Sequence, residues 1–92
     1  MHEYQKVDIY NVTNGERFST YLILAEKNSK TISVNGAAAH KVSLNDVLII
    51  CTYASLDVNE IATHKPTLVY FDGKNNITVI KNSIPEQKLH SV

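Results

Sequence analysis

Two Asn-Gly pairs constrain this chain more than any other feature, because they mark tight turns between short apolar runs. Asn14-Gly15 follows residues 6–12, in which apolar and polar side chains alternate, and Asn35-Gly36 follows a shorter run. Asn and Gly tolerate the positive φ angles that a two-residue hairpin turn requires. The pattern therefore predicts an antiparallel, mainly β chain.

The rest of the sequence extends that pattern. The apolar periodicity predicts six short strands: residues 6–12, 17–25, 31–34, 47–53, 67–71 and 77–80. The strand over residues 47–53 is continuously apolar, which is typical of burial on both faces. Asp57 and Glu60 form a capping-box pattern that predicts a short helix over residues 57–63. The run Ala37-Ala38-Ala39-His40 is too short for a helix and is predicted to be a tight loop.

Balanced charge excludes two classes of partner. Nine Lys and Arg residues are matched by nine Asp and Glu residues, so the formal net charge is zero, whereas nucleic acid and anionic membranes bind clustered positive charge. The four His residues are scattered, which predicts no metal site. Cys51, the only Cys, lies in an apolar run and is predicted to be a buried thiol in a cytoplasmic protein.

Residues 17–21 carry the first candidate site. Side chains alternate along a strand, so Arg17, Ser19 and Tyr21 share one predicted face and Thr20 lies on the other. Arg17 offers a planar fork of donors that suits a carboxylate, and Tyr21 offers a phenolic proton. An anion-binding Arg beside a proton donor suits decarboxylation of an amino acid. A solvated Arg and a half-buried Tyr on an ordinary strand remain the alternative.

The small residues after Asn35 form the second candidate. Gly36, Ala37 and Ala38 would let a ligand approach the backbone, and consecutive N–H groups in a turn can bind an anion. The Asn35 amide could donate to a developing oxyanion. A hairpin turn followed by small core residues is the alternative. His40 follows this segment and is predicted to be structural.

Two longer motifs connect these patches to a known family. Residues 11–21, Asn-Val-Thr-Asn-Gly-Glu-Arg-Phe-Ser-Thr-Tyr, and residues 32–40, Ile-Ser-Val-Asn-Gly-Ala-Ala-Ala-His, resemble signature stretches of pyruvoyl-dependent aspartate 1-decarboxylase. The turn and apolar strand at residues 45–50 and the stretch around residues 64–71 follow in the same order. The resemblance covers about residues 3–80.

The resemblance implies that residues 1–81, including the short helix predicted above, form a small double-psi β-barrel that is incomplete at the N-terminus. Residues 82–92 are predicted to be a flexible tail, because they contain Pro85 and several polar residues and show no clear period. It implies a homotetramer with active sites between subunits. It also implies decarboxylation of L-aspartate to β-alanine through a pyruvoyl Schiff base, for pantothenate synthesis. The pyruvoyl group, the covalent cofactor, would arise from a Ser by self-cleavage of a Gly-Ser bond.

Roles transfer through the matching motifs. Tyr21 corresponds to the proton donor, Arg17 to the residue that binds a substrate carboxylate, and Thr20 to a substrate-binding and self-processing residue. Asn35 corresponds to the residue that positions the reacting groups. The segment Gly36, Ala37, Ala38 corresponds to the loop whose backbone contacts substrate. Because Thr20 lies opposite Arg17 in a regular strand, either the strand is bulged or Thr20 faces another part of the site.

The chain departs from the family at its start. No Ser follows a Gly in the sequence, so the expected cleavage segment, the small chain of the proenzyme, is missing. The isolated chain is therefore expected to be inactive, without a pyruvoyl group. A non-catalytic β-barrel that keeps the anion pocket as a binding or assembly module is the alternative function.

Overall fold

The structure is a computed structural model that describes residues 1–84. The chain divides into two compact units, Met1–Ser55 and Leu56–Val92. Most of the predicted tail lies outside the described residues. The prediction that residues 1–81 form one barrel stays a prediction.

The first unit contains a three-stranded antiparallel sheet in the order β2-β1-β3. Its strands are β1 (Lys6–Asn11), β2 (Arg17–Tyr21) and β3 (Leu48–Cys51). The central strand β1 directs alternate side chains to one side, where they are buried. The first predicted turn is confirmed: Gly15 has φ +80° and donates its N–H to the carbonyl of Asn11 at 2.8 Å.

Two predicted strands of this unit differ from the structure. Residues 31–34 form no strand, because left-handed φ angles at Asn28 (+66°) and Lys30 (+56°) turn the backbone away from an extended path just before them. Strand β2 ends at Tyr21 and not at residue 25, although Leu22 still donates its N–H to the carbonyl of Gln5 at 3.0 Å.

Three further predictions for this unit are wrong. The segment predicted as a tight loop is a 3-10 helix, Gly36–Lys41, because the small residues permit a tight i to i+3 turn once Gly36 has set φ at +65°. The apolar strand predicted to be buried on both faces is half-exposed, with Val47 at 60% and Ile49 at 49% exposure. It lies at the edge of the three-stranded sheet, where fewer side chains cover it. Cys51, predicted to be buried, is partly exposed for the same reason.

The second unit follows its prediction more closely. Helix α1 (Val58–Ile61) begins after Asp57, whose N–H donates to Glu60 Oε1 at 3.3 Å, as in the predicted capping box. Strands β4 (Leu68–Phe71) and β5 (Ile77–Lys81) form an antiparallel ribbon with an irregularity between Tyr70 and Phe71. Asp72 Oδ1 accepts the N–H groups of Lys74 (2.8 Å) and Asn76 (2.9 Å), which closes the turn between the strands.

The predicted class is confirmed: within residues 1–84 the chain is mainly β, with five strands and one short α-helix. The double-psi connection of a barrel stays a prediction from the resemblance. The described part of the chain contains no helix of the length and apolar character needed to cross a membrane.

Candidate functional site

One face of the β1–β2 pair collects the polar groups of the first candidate site. The register pairs Tyr10 with Arg17, Asp8 with Ser19, and Lys6 with Tyr21. Directly paired residues of antiparallel strands project to the same side of a sheet. Arg17, Ser19 and Tyr21 therefore share one face with the three β1 residues, as the alternation predicts. We call these six residues the polar face: Lys6, Asp8, Tyr10, Arg17, Ser19 and Tyr21.

Arg17 keeps its charge available on this face. Its guanidinium carbon lies 4.1 Å from the centroid of the Tyr10 ring, a cation–π contact that orients the side chain. Among the described residues the ion pair found is Lys41 with Glu16, so no carboxylate there neutralises Arg17. An exposed Arg supported by a ring and without an acidic partner is suited to bind an added carboxylate.

A second tyrosine holds the Tyr10 ring from its far end. The hydroxyl oxygens of Tyr10 and Tyr53 lie 2.6 Å apart. This hydrogen bond, with smaller contributions from desolvation and from neighbouring acidic groups, raises the pKa of Tyr53 to about 12. The same hydrogen bond can keep the Tyr10 ring beneath Arg17.

The centre of the polar face carries a carboxylate. Ser19 Oγ donates a hydrogen bond to Asp8 Oδ1. Lys6, Val7, Asp8 and Tyr53 line a shallow cavity of about 240 Å³ beside it, a volume suited to a small ligand. A larger cavity of about 430 Å³ lies in the second unit, lined by Thr67, Ile80, Lys81, Asn82 and Ser83, none of which is a predicted site residue.

Tyr21 lies at the end of β2, four residues from Arg17. Its side chain is 57% exposed, so its hydroxyl is accessible from solvent. A strand rises about 3.3 Å per residue, so the two Cα atoms are about 13 Å apart. Both side chains are long enough to approach a small amino acid from opposite ends, with Ser19 between them.

Thr20 lies on the other face. Its strand partner is Val7, and the pairing from Arg17 to Tyr21 is regular. A bulge in β2 is therefore excluded, and of the two predicted alternatives Thr20 faces a different part of the molecule from Arg17. The Thr20 side chain is half-buried on the side that carries Val7 and Ile9.

The second candidate segment begins the 3-10 helix. Asn35 is extended (φ −120°, ψ 166°), and its Oδ1 accepts a hydrogen bond from Ser33 Oγ at 3.3 Å. Gly36 is left-handed and the residues after it are right-handed, a sequence of conformations that turns consecutive N–H groups to one side. A Cβ at Gly36 would meet no atom within 4 Å, so the approach to this backbone is open.

Comparison with known proteins decides the family. A sequence model of the aspartate decarboxylase family matches residues 1–78. The chain belongs to the aspartate decarboxylase family. It is similar to an aspartate 1-decarboxylase from Hydrogenovibrio crunogenus, with 58% identity over 87 residues, which is 95% of this chain and 67% of the relative.

Other relatives agree. An aspartate 1-decarboxylase from Methylobacillus flagellatus is 60% identical over 85 residues, covering 92% of this chain and 68% of the relative. One from Psychromonas ingrahamii is 55% identical over 85 residues, with the same coverage of 92% and 68%. The chain thus spans about two thirds of the length of these aspartate decarboxylases.

Sequence reasoning on this member of the aspartate decarboxylase family missed three side chains of the site. The alternation in β1 places Asp8 and Tyr10 on one face, and their position opposite β2 follows from the Asn14-Gly15 turn, so the signal for both was available. Tyr53 lies beyond β3, and no short-range pattern relates it to a partner 43 residues earlier. The roles of Tyr21, Arg17, Thr20 and Asn35 stay predictions.

Proposed function

We propose that the protein decarboxylates L-aspartate to β-alanine. The observation that carries the proposal is Arg17, exposed on the same strand face as Tyr21 and without a carboxylate partner among the described residues. Membership of the aspartate decarboxylase family supports it. The resemblance further implies a cytoplasmic enzyme that serves pantothenate synthesis.

Arg17 and Tyr21 have different roles toward the substrate: Arg17 binds it and Tyr21 donates a proton. The Arg17 guanidinium binds a substrate carboxylate through a charge-assisted pair of hydrogen bonds, with the Tyr10 ring limiting its movement. Tyr21 holds a proton on its phenolic oxygen and gives it to the substrate carbon that has lost its carboxylate. Asn35 and the N–H groups at Gly36 and Ala37 hold the substrate from a second segment.

The chain's residues fit a pyruvoyl group. A carbonyl electron sink needs hydrogen-bond donors beside it, and the Asn35 amide together with the open backbone at Gly36 offers donors of that kind. When bound, the pyruvoyl carbonyl supplies the electron sink that withdraws charge as carbon dioxide leaves. Thr20, on the other side of β2, is proposed to act in substrate binding and self-processing, as the family resemblance implies.

Assembly into a homotetramer is part of the proposal. Within residues 1–84, Val7 and Ile9 are the buried hydrophobic residues, whereas many large apolar side chains are more than half exposed. Apolar surface of this extent is usually covered by another chain. Further copies of this protein, together with the segment that carries the pyruvoyl group, are the proposed covering partners.

The test starts from the source of the pyruvoyl group. The sequence contains no Gly-Ser pair, so the group is proposed to come from a Ser outside these 92 residues. We expect mass spectrometry of the enzyme purified from its own source to find a pyruvoyl group, and we expect the enzyme to form β-alanine from L-aspartate. A chain of these 92 residues alone should give neither.

Each other outcome is informative. β-Alanine formation by the 92 residues alone would mean that another group is the electron sink. Aspartate binding without turnover in the native protein would favour the alternative function, a binding or assembly module with a retained anion pocket.

A further inference from the structure

Asn11 combines full burial with full use of its side chain. It is 2% exposed and is the buried polar residue of the described part of the chain. Its Oδ1 accepts the N–H groups of Thr13 (3.0 Å) and Asn14 (3.3 Å). Its Nδ2 donates to the carbonyl of Lys41 at 3.0 Å and to Asp46 Oδ2 at 2.8 Å. An amide side chain has two acceptor sites and two donor hydrogens, and Asn11 uses all four.

The two donor contacts hold a distant part of the chain. Lys41 is the last residue of the 3-10 helix that begins at Gly36, and its carbonyl is 30 residues from Asn11. A 3-10 helix rises about 2 Å per residue, so the carbonyl anchor is about 6 Å along the axis from Ala38. Fixing Lys41 therefore fixes the segment Gly36, Ala37, Ala38.

The two acceptor contacts hold the hairpin that leads to Arg17. Asn11 ends β1, and its Oδ1 closes the first part of the turn between β1 and β2. The next residue back, Tyr10, pairs with Arg17 and contacts its guanidinium. The buried Asn11 side chain thus connects the hairpin that leads to Arg17 with the 3-10 helix that starts at Gly36.

We propose that Asn11 is a positioning residue that sets the separation between Arg17 and the Gly36–Lys41 segment, and so the fit of the amino-acid substrate between them. This rests on the proposed function. The residue type matters, because Asp46 accepts from Asn11 and from the Ser43 N–H at 2.8 Å, an arrangement that lowers the pKa of Asp46 and keeps it an acceptor. Only a side chain that donates to carbonyl and carboxylate while accepting from the turn meets both needs.

Asn11→Asp separates the two halves of this role. The ionised variant retains acceptors for the turn, loses both donors and places a second negative charge beside Asp46. The double variant described below removes that charge repulsion. We expect amide hydrogen exchange of residues 37–42 in the full chain to accelerate by about 5- to 30-fold, as loss of a buried hydrogen bond predicts. In the catalytically complete enzyme we expect kcat/KM for aspartate to fall by about 10- to 100-fold, mainly through KM, because the loop is misplaced and not removed.

A milder variant and a control keep the test decisive if Asn11→Asp does not fold. Asn14 Nδ2 also donates to the Lys41 carbonyl, at 2.9 Å, and its Oδ1 accepts the Glu16 N–H. Asn14→Asp, on the surface, should reproduce both effects at smaller size. Glu16→Gln removes the exposed ion pair to Lys41 and should change exchange and KM by less than about twofold.

A donor–acceptor exchange separates positioning from stability. In the double variant Asn11→Asp with Asp46→Asn, the bond between positions 11 and 46 can form in reverse, while the bond to the Lys41 carbonyl cannot. We expect the midpoint of urea unfolding to recover and KM to stay raised.

Recovery of KM together with stability would overturn the proposal, and so would unchanged exchange of residues 37–42 in both Asn11→Asp and Asn14→Asp. If the parent enzyme forms no β-alanine, the proposed function fails, and the exchange measurements still decide whether Asn11 anchors the segment.

Discussion

The β1–β2 pair carries polar side chains on both of its faces, and the two faces differ in whether those side chains have partners within the chain. On the buried side, Asn11 has every donor and acceptor satisfied within the chain. On the polar face, Arg17 has an aromatic ring beneath it and no acidic partner among the described residues, and Tyr21 is exposed. The two faces of the β1–β2 pair thus carry a closed hydrogen-bond network and an open one.

The difference follows from the cost of burial. An unpaired polar atom away from water is strongly destabilising, so a buried Asn is retained only where its partners are in place. At the surface, water satisfies Arg17 and Tyr21 until a ligand replaces it. Substitutions on the two sides should therefore have different signatures: loss of activity with an intact fold on the polar face, and loss of loop order around Asn11.

Among substitutions on the polar face, the largest loss of activity is expected from Tyr21→Phe. Removing a positioned proton donor should lower kcat on aspartate by about 10²–10⁴-fold, with little change in aspartate binding. Steady-state kinetics of the complete enzyme measure this. Tyr70→Phe, which removes a hydroxyl from β4, is the matched control and should leave kcat nearly unchanged. Turnover of Tyr21→Phe within about twofold of the parent, less than about 0.5 kcal/mol in the barrier, would exclude Tyr21 as the donor.

Arg17→Lys tests whether the polar face binds a carboxylate through the planar donor geometry of the Arg17 guanidinium. Lysine keeps the charge but loses the bidentate geometry, which should cost on the order of 2–3 kcal/mol in transition-state binding. The measured quantity is kcat/KM for aspartate. Lys65→Gln removes an exposed cation of the second unit and serves as the control. Full activity of Arg17→Lys would show that any positive charge suffices.

A smaller effect is expected from Ala37→Val in the 3-10 helix. The β-branched side chain should hinder close approach of a ligand to the backbone and so raise KM, while circular dichroism stays that of a folded chain. The exposed Ala62, at the end of α1, offers the control Ala62→Val. A folded Ala37→Val enzyme with normal KM would make the segment a structural turn only.

The smallest loss of activity is expected from Tyr53→Phe, which tests whether the hydrogen bond from Tyr53 to Tyr10 is needed for turnover. Without its hydroxyl partner the Tyr10 ring stays in β1, so kcat should change by no more than about twofold. The spectroscopic change is clearer. We expect ultraviolet titration of the parent to include a late tyrosinate step near pH 12, and we expect Tyr53→Phe to lose that step. Tyr4→Phe should retain that step.

The raised pKa of Tyr53 also predicts how the free energy of unfolding depends on pH. The folded pKa is about 12 and the ordinary value is 10.0, so the folded state favours the protonated hydroxyl. Its contribution is present in full below about pH 10 and is lost as the pH rises toward 12. Urea unfolding of the parent and of Tyr53→Phe should therefore converge across that interval, and a constant difference would contradict the assignment.

Local chemistry explains which parts of the molecule could be predicted from the sequence. The hairpin at Asn14-Gly15, the cap at Asp57 and the turn at Asp72 are set by residues within a few positions of one another, and all three are present. The alternation of β2 likewise places Arg17 and Tyr21 on one face.

The failures concern long-range neighbours. The exposure of Ile49 depends on β3 lying at a sheet edge, and the contact between Tyr10 and Tyr53 depends on pairing across 43 residues. The hydrogen bonds from Asn11 to Lys41 and Asp46 cross 30 and 35 residues, so no local pattern shows that this Asn is buried. The strand predicted over residues 31–34 had the right composition and no partner to pair with.

The regular register between β1 and β2 also limits how this family can change in length. A shift of one residue in that pairing would move Arg17 and Tyr21 to the side of Val7 and Ile9, and would bring Phe18 and Thr20 to the polar face. We expect a single-residue insertion or deletion within residues 12–16 that shifts this pairing to disrupt the polar face and the apolar side together. Homologous chains should therefore vary in length outside this hairpin, for instance within residues 23–30, where no strand register is at stake.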